Sequence, residues 1–356
     1  MRKFIAENER AKREYLMFLR EAKGQDEATL DKVSASVRAF EEAVGVKPFT
    51  AFHREWAATF KTHLGRRKSE RTGLPLNPTT RDSTLRLVKG FVEWLSTQPG
   101  YRSRITYADA AYFNNNAREA RIAHTSHPRP YPSLEQCAHA FRQMPEGTEV
   151  QRRDRAIFAF LILTAARDSA AASMRHKHVD LIEDVVHQDA REVRTKNGKS
   201  FDTWFFPVDP MYRTCVADWI EYLRQERLYG PTDAVFPKID TGVRGGRFIA
   251  IGLSREPYAN GQALNRVVQA AFVAANLPAF SAHGFRKTIG RLMEQVCTTM
   301  EERKAWSQNL GHDHLATTIS AYLPVSGERQ GELIKALGKK TGAVLPPQLS
   351  LKARLK

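Results

Sequence analysis

Residues 156–166 read AIFAFLILTAA, an apolar run broken only by Thr164. A surface helix carries its apolar side chains on one stripe. A helix from Arg152 to Ala166 would be apolar on nearly every face, so other elements must enclose it. The run is the longest apolar stretch in the chain, and at eleven residues it is far short of the roughly 20 a spanning helix needs. No membrane segment is expected. The first residues, MRKFIAENERAKREY, interrupt every apolar stretch with charge and lack the apolar core of a secretory signal, which predicts a cytoplasmic, reducing location. The three cysteines, Cys137, Cys215 and Cys297, are widely spaced with no CxxC pair, and are read as packed side chains rather than disulfide or thiolate-metal partners.

At 356 residues the chain exceeds what one core usually organises, so two domains are expected. Residues 1–98 show helical patterning only, over 2–23, 27–44, 50–64 and 79–96. In the last of these Leu85, Val88, Phe91, Val92 and Leu95 form a core-facing stripe, with Arg81, Arg86 and Lys89 off it. Residues 114–132, rich in polar residues, arginine and proline, read as a linker between a helical domain at 1–113 and a second domain at 133–340, with a basic tail at 341–356. In the second domain the sequence SLEQ at Ser133 offers a capping box. The period then changes: Arg191–Lys196 and Ser200–Phe206 flank Asn197-Gly198, a strong two-residue hairpin signal that puts Lys196 at a hairpin tip. Helices resume at 211–228, 261–275, 283–295, 300–310, 316–322 and 327–337. The fold class is therefore mainly α with a small β-sheet or hairpin in the second domain.

The net charge is +16, and both halves are basic: residues 1–130 hold 24 bases against 15 acids, residues 131–356 hold 31 against 24. This favours a polyanionic partner, nucleic acid first. The turn at 65–78 concentrates Arg66, Arg67, Lys68 and Arg71, candidate phosphate contacts.

Three places carry chemistry. Arg167 ends the apolar helix in TAARDS, where it must pair with an acid or face an anion; taken alone, an ion pair with Asp168 or another acid is favoured. His283 and Arg286, in HGFR, share one helix face. Leu310-Gly-His312 is followed ten residues later by Tyr322, in ATTISAY. Singly each is weak. Together Arg167, Lys196, His283, Arg286, His312 and Tyr322, in that order, resemble the tyrosine recombinase (phage integrase) family of DNA strand-exchange enzymes, over about residues 132–337. The helical N-terminal half is similar to that family's core-binding domain in architecture only.

The resemblance implies a two-domain clamp on duplex DNA, a helical core-binding domain plus a mixed α/β catalytic domain. Tyr322 is the implied nucleophile, Arg167 and Arg286 the phosphate-stabilising guanidinium groups, His283 the base and His312 a phosphate hydrogen-bonding partner. Lys196 is the implied general acid, with Lys199 across the turn as the fallback. Because a 3′-phosphotyrosyl bond stores the energy of the broken linkage, no cofactor, ATP or metal is implied. The implied partners are two recombination sites on double-stranded DNA, further copies of the chain forming a tetramer, and accessory DNA-bending or directionality proteins. Alternatives are a type IB topoisomerase-like nicking and closing enzyme, or a catalytically silent DNA-binding regulator. The glycine-rich TGVRGGR at 241–247 lacks the lysine and hydroxyl of a nucleotide loop and reads as a surface turn. His176-Lys-His178 and His312-Asp-His314 lack the companions of a metal site. The sequence departs from the family's pattern at Ala165, where glycine is usual, Ala170, Gly284 and Lys287, the last adding a positive charge beside Arg286.

Overall fold

A computed structural model describes residues 4–70, 72–124, 130–323, 330–334 and 336. The chain divides into two compact units, Met1–Pro128 and Arg129–Lys356.

The first unit holds α1 (Ala6–Glu21), α2 (Glu27–Ala43), α3 (Glu55–Arg66), α4 (Pro78–Leu95), α5 (Tyr107–Ala110) and α6 (Ala117–His124). The stripe on α4 is buried at all five positions, Leu85 through Leu95. Asn77 caps that helix by accepting from Thr79 N, with Pro78 at the first turn where no N–H is needed. Aromatic rings fill the core: Phe40 meets Phe60 and Phe113 edge-on at 5.4 Å each. One buried amide, Asn8, ties α1 to the turn after α2. It donates to Glu41 Oε1 and Lys47 O and accepts from Phe49 N, leaving none of its bonding to chance. Residues 117–124, read from sequence as linker, form α6 and pack on α4, where Thr79 Oγ1 donates to Ala123 O. The eight-residue helix has one buried side chain, Ala123, so it shows too little apolar periodicity to be seen in sequence.

The second unit is built around α8 (Glu149–Thr164), preceded by α7 (Leu134–Gln143) and followed by α9 (Asp168–Ala171). Every residue from Ala156 to Thr164 is buried, the enclosure its composition demands. Helices α10 (Pro210–Gln225), α11 (Gln262–Ala274) and α12 (Ala282–Val296) surround it, then α13 (Met300–Asn309) and α14 (Leu315–Tyr322) follow. Phe158 on α8 contacts Phe285 of α12 at 4.8 Å and Phe272 of α11 at 5.4 Å, while Phe160 meets Phe236 at 5.1 Å. The capping box at Ser133 forms, its hydroxyl and Gln136 exchanging bonds with each other's backbone N–H.

Strands β1 (Val179–Asp180), β2 (Val185–Gln188) and β3 (Phe201–Trp204) make an antiparallel sheet in that order, with Gln188 opposite Phe201. The β2–β3 connection is consequently a loop over 189–200, not a two-residue turn. Asn197 and Gly198 do take the positive φ their sequence announced (61° and 63°), but inside a short 3₁₀ turn at Lys196–Gly198. The flanking residues 191–196 are not a strand. A second hairpin, β4 (Pro237–Arg244) and β5 (Arg247–Pro257), replaces the surface turn read at 241–247: only Gly245-Gly246 turns, and the rest is paired. Of the helix expected at 327–337, residues 330–334 are helical and most of the remainder lies outside the described residues, as does the basic tail at 341–356. The architecture is mainly helical with small antiparallel sheets. Among the described residues no helix is long and apolar enough to cross a membrane.

Candidate active site

Helix α8 stops at Ala165, whose backbone takes the left-handed conformation (φ 48°, ψ 26°). That reversal puts Arg167 at the N-cap of α9, half-buried. Gly261, at the start of α11, lies so close that a Cβ there would stand 2.6 Å from the Asp168 backbone carbonyl carbon, so the glycine lets two elements meet under Arg167. From α12, the buried Arg286 donates one guanidinium N–H to the carbonyl of Ala165 and another to that of Leu310 at 2.7 Å. One side chain thus satisfies orphan carbonyls at the ends of α8 and α13.

The ion pair between Arg167 and Asp168 does not form. Asp168 accepts from Ser169 N instead, and among the described residues neither Arg167 nor Arg286 is paired with a carboxylate. Burial, and then the like charge of Arg286, push Arg167 below the usual guanidinium range, while Tyr322 pulls the other way. Two desolvated guanidinium groups without an acid leave a positive potential that an anion would neutralise.

His312 completes the cluster. Gly311 before it has φ 73°, and a Cβ there would come within 2.5 Å of Phe201 Cζ on β3, so both conformation and space require glycine in LGH. The His312 ring is buried, with Nδ1 2.7 Å from Thr318 Oγ1, itself 2.7 Å from Ser307 Oγ. Burial first, then Arg286, Arg167 and Lys199, push His312 down to about 4, so it is neutral at pH 7. Its ring lies 5.6 Å from that of Tyr322, the buried last residue of α14.

The fold therefore brings together Arg167, Arg286, His312 and Tyr322. Lys199 is linked to them through its ion pair with Asp313 at 2.5 Å, its ammonium 5.8 Å from the Phe201 ring. Lys196 is exposed on the 3₁₀ turn. His283 is exposed one turn before Arg286 on α12, and Lys287 is half-buried there. In the first unit Arg66 and Lys68 are exposed, Arg67 is 3.6 Å from Glu70, Arg86 is 4.0 Å from Asp82 and Lys89 is 3.6 Å from Glu93. Arg81 is half-buried on α4, its Nε without a hydrogen-bond partner among the described residues; Arg71 lies outside the described residues. Sequence reasoning missed the Ser307–Thr318 hydrogen bond behind His312 and the glycine at 261. The pattern TT at 317–318 was the available signal for the first.

This fold, with its helical unit and mixed α/β unit, is shared with solved integrases. A lambda integrase fragment (residues 75–356), solved as a dimer bound to a COC′ core site, superposes with a TM-score of 0.55 at 14% identity, covering 90% of this chain and 96% of that one. The Tn1549 transposon integrase (residues 82–397), solved with circular intermediate DNA, gives 0.53 at 14%, covering 91% and 98%. The lambda integrase tetramer bound to a Holliday junction gives 0.53 at 13%, covering 87% and 76%. No protein-family model and no curated protein matches the sequence.

Proposed function

We propose that the protein is a site-specific DNA recombinase or integrase that cuts and rejoins duplex DNA through a 3′-phosphotyrosyl intermediate on Tyr322. The observation that carries this reading is the pair of acid-free guanidinium groups, Arg167 and Arg286, set with neutral His312 beside the Tyr322 ring. A phosphodiester under attack concentrates charge on its nonbridging oxygens. Two fixed guanidinium groups and an imidazole N–H answer that charge without reorganising, provided Thr318 donates its hydroxyl proton to Nδ1 and leaves Nε2–H for the phosphate.

In the forward step the Tyr322 oxygen bonds to phosphorus, its proton passing to a base, and the bond from phosphorus to the 5′ oxygen breaks as that oxygen takes a proton. His283, in the family's pattern, is the base. The lysine on the β2–β3 loop is the acid: Lys196 by pattern, while Lys199 is the one whose charge reaches His312. Rejoining runs the same step backward, so no ATP or metal enters. The resemblance extends the proposal to two DNA sites held by four copies of the chain, with the helical unit at residues 1–113 as a DNA-binding domain carrying Arg66, Arg67, Lys68, Arg71, Arg81, Arg86 and Lys89.

The test is a nicked suicide substrate that traps the covalent adduct on a denaturing gel, run with EDTA, followed by mass spectrometry of the attached peptide. Wild-type protein should form the adduct on Tyr322, and Tyr322→Phe should form none while binding DNA as before. Adduct from Tyr322→Phe, or loss of reaction on chelation, would refute the nucleophile or the metal-free chemistry respectively. Arg167→Ala should keep the nucleophile yet slow the step by about 3 to 4 kcal/mol in barrier, by analogy with removal of an oxyanion-hole donor.

A further inference from the structure

Gly290 lies in the interior of α12, in ordinary helical backbone, where glycine is disfavoured relative to alanine and nothing in the backbone asks for it. Its neighbour in space supplies the reason. A Cβ at this position would fall 2.5 Å from Tyr322 Cδ2, 2.6 Å from Cγ and 2.8 Å from Cβ, so the tyrosine ring rests directly on the bare backbone of α12. On the same helix face one turn earlier stands Arg286, four residues before Gly290, and the His312 ring is 5.6 Å from that of Tyr322. The contact involves the base of the tyrosine side chain, and a ring held at its base fixes where its hydroxyl points.

We propose that Gly290 is the positioning residue for Tyr322: its missing side chain lets the ring sit against α12 in line with Arg286, and this sets the hydroxyl against the phosphate site. The proposal rests on the reading of Tyr322 as nucleophile and adds to it which residue sets the tyrosine's place. Real Cβ atoms seldom approach closer than about 3.4 Å, so a methyl at 290 must move the ring by roughly 1 Å, and a displacement of that size at a reacting centre costs on the order of 100-fold in rate.

The experiment uses full-length Gly290→Ala on the nicked suicide substrate, measuring the single-turnover adduct rate at saturating DNA, the DNA half-saturation point and the melting temperature. The rate should fall on the order of 100-fold with half-saturation unchanged. Melting is also compared in a Tyr322→Ala background: there Gly290→Ala should raise the melting temperature, since the ring is gone and alanine is the better helix former, whereas with Tyr322 present it should lower it. A rate within twofold of wild type, or the same change in melting temperature in both backgrounds, overturns the proposal. If Gly290→Ala alone does not fold, folding of the Gly290→Ala/Tyr322→Ala pair still attributes the clash to the ring, and its misfolding refutes it. Failure of the underlying reading is distinct, because it would appear as adduct formation by Tyr322→Phe.

Discussion

Position 165 needs a left-handed residue and holds an alanine, with its carbonyl committed to Arg286. A Cβ in that conformation costs roughly 1 to 2 kcal/mol, part of which glycine would give back through its freer unfolded chain. Ala165→Gly should therefore stabilise the protein by about 1 kcal/mol in urea denaturation, and an unchanged or lower midpoint would contradict the strain. Two of the three buried histidines set a pH dependence. His312 and His176 are both pushed down to about 4, chiefly by burial. Between their ordinary 6.5 and 4 the unfolded chain takes up protons that the folded chain refuses. Stability is thus complete above pH 6.5 and falls as pH drops toward 4, by at most about 1.4 kcal/mol per pH unit for each histidine. His176→Phe should make the fall shallower, read as denaturation midpoints at pH 7 and pH 5; an identical fall would show that His176 titrates normally.

Among the elements, α8 and the β4–β5 hairpin are opposites. From Ala156 to Thr164 helix α8 is enclosed on all sides, and Phe158 is fully buried against Phe285 and Phe272. Phe158→Ala should cost about 3 to 5 kcal/mol, enough to consume a large share of a domain's stability. The outer hairpin instead leaves Val243 67% and Ile251 65% exposed. Replacing residues 241–251 by Asn-Gly between the paired Asp240 and Gly252 should shift the melting temperature by less than about 3 °C, since little apolar area leaves the core. A larger loss would mean that the hairpin braces the second unit.

For the whole molecule the governing quantity is the charge of +16 spread over both units. If both contact phosphates, log affinity for duplex DNA should fall steeply with log salt, near −0.9 per neutralised phosphate. Replacing Arg66, Arg67 and Lys68 together by Ala should make that slope shallower by about 2 to 3. An unchanged slope would leave that loop as a solvated turn.

The enclosed helix, the α4 stripe and the capping box at Ser133 were legible in sequence, because each is set by neighbours within a few residues through helical periodicity or a local hydrogen bond. The order of Arg167, Arg286, His312 and Tyr322 was legible as well, as spaced motifs. What the tertiary structure alone decided is how those residues meet. Asn197-Gly198 announced its positive φ but not the 189–200 loop around it, since the register is set where Gln188 pairs with Phe201. That Arg167 lies near Arg286, 119 positions away, while Asp168 accepts from Ser169 N, could not be read from the local sequence. The glycines at 261, 290 and 311 look in sequence like punctuation. Each is a close approach between elements distant in the chain, and distance of that kind is written only in three dimensions.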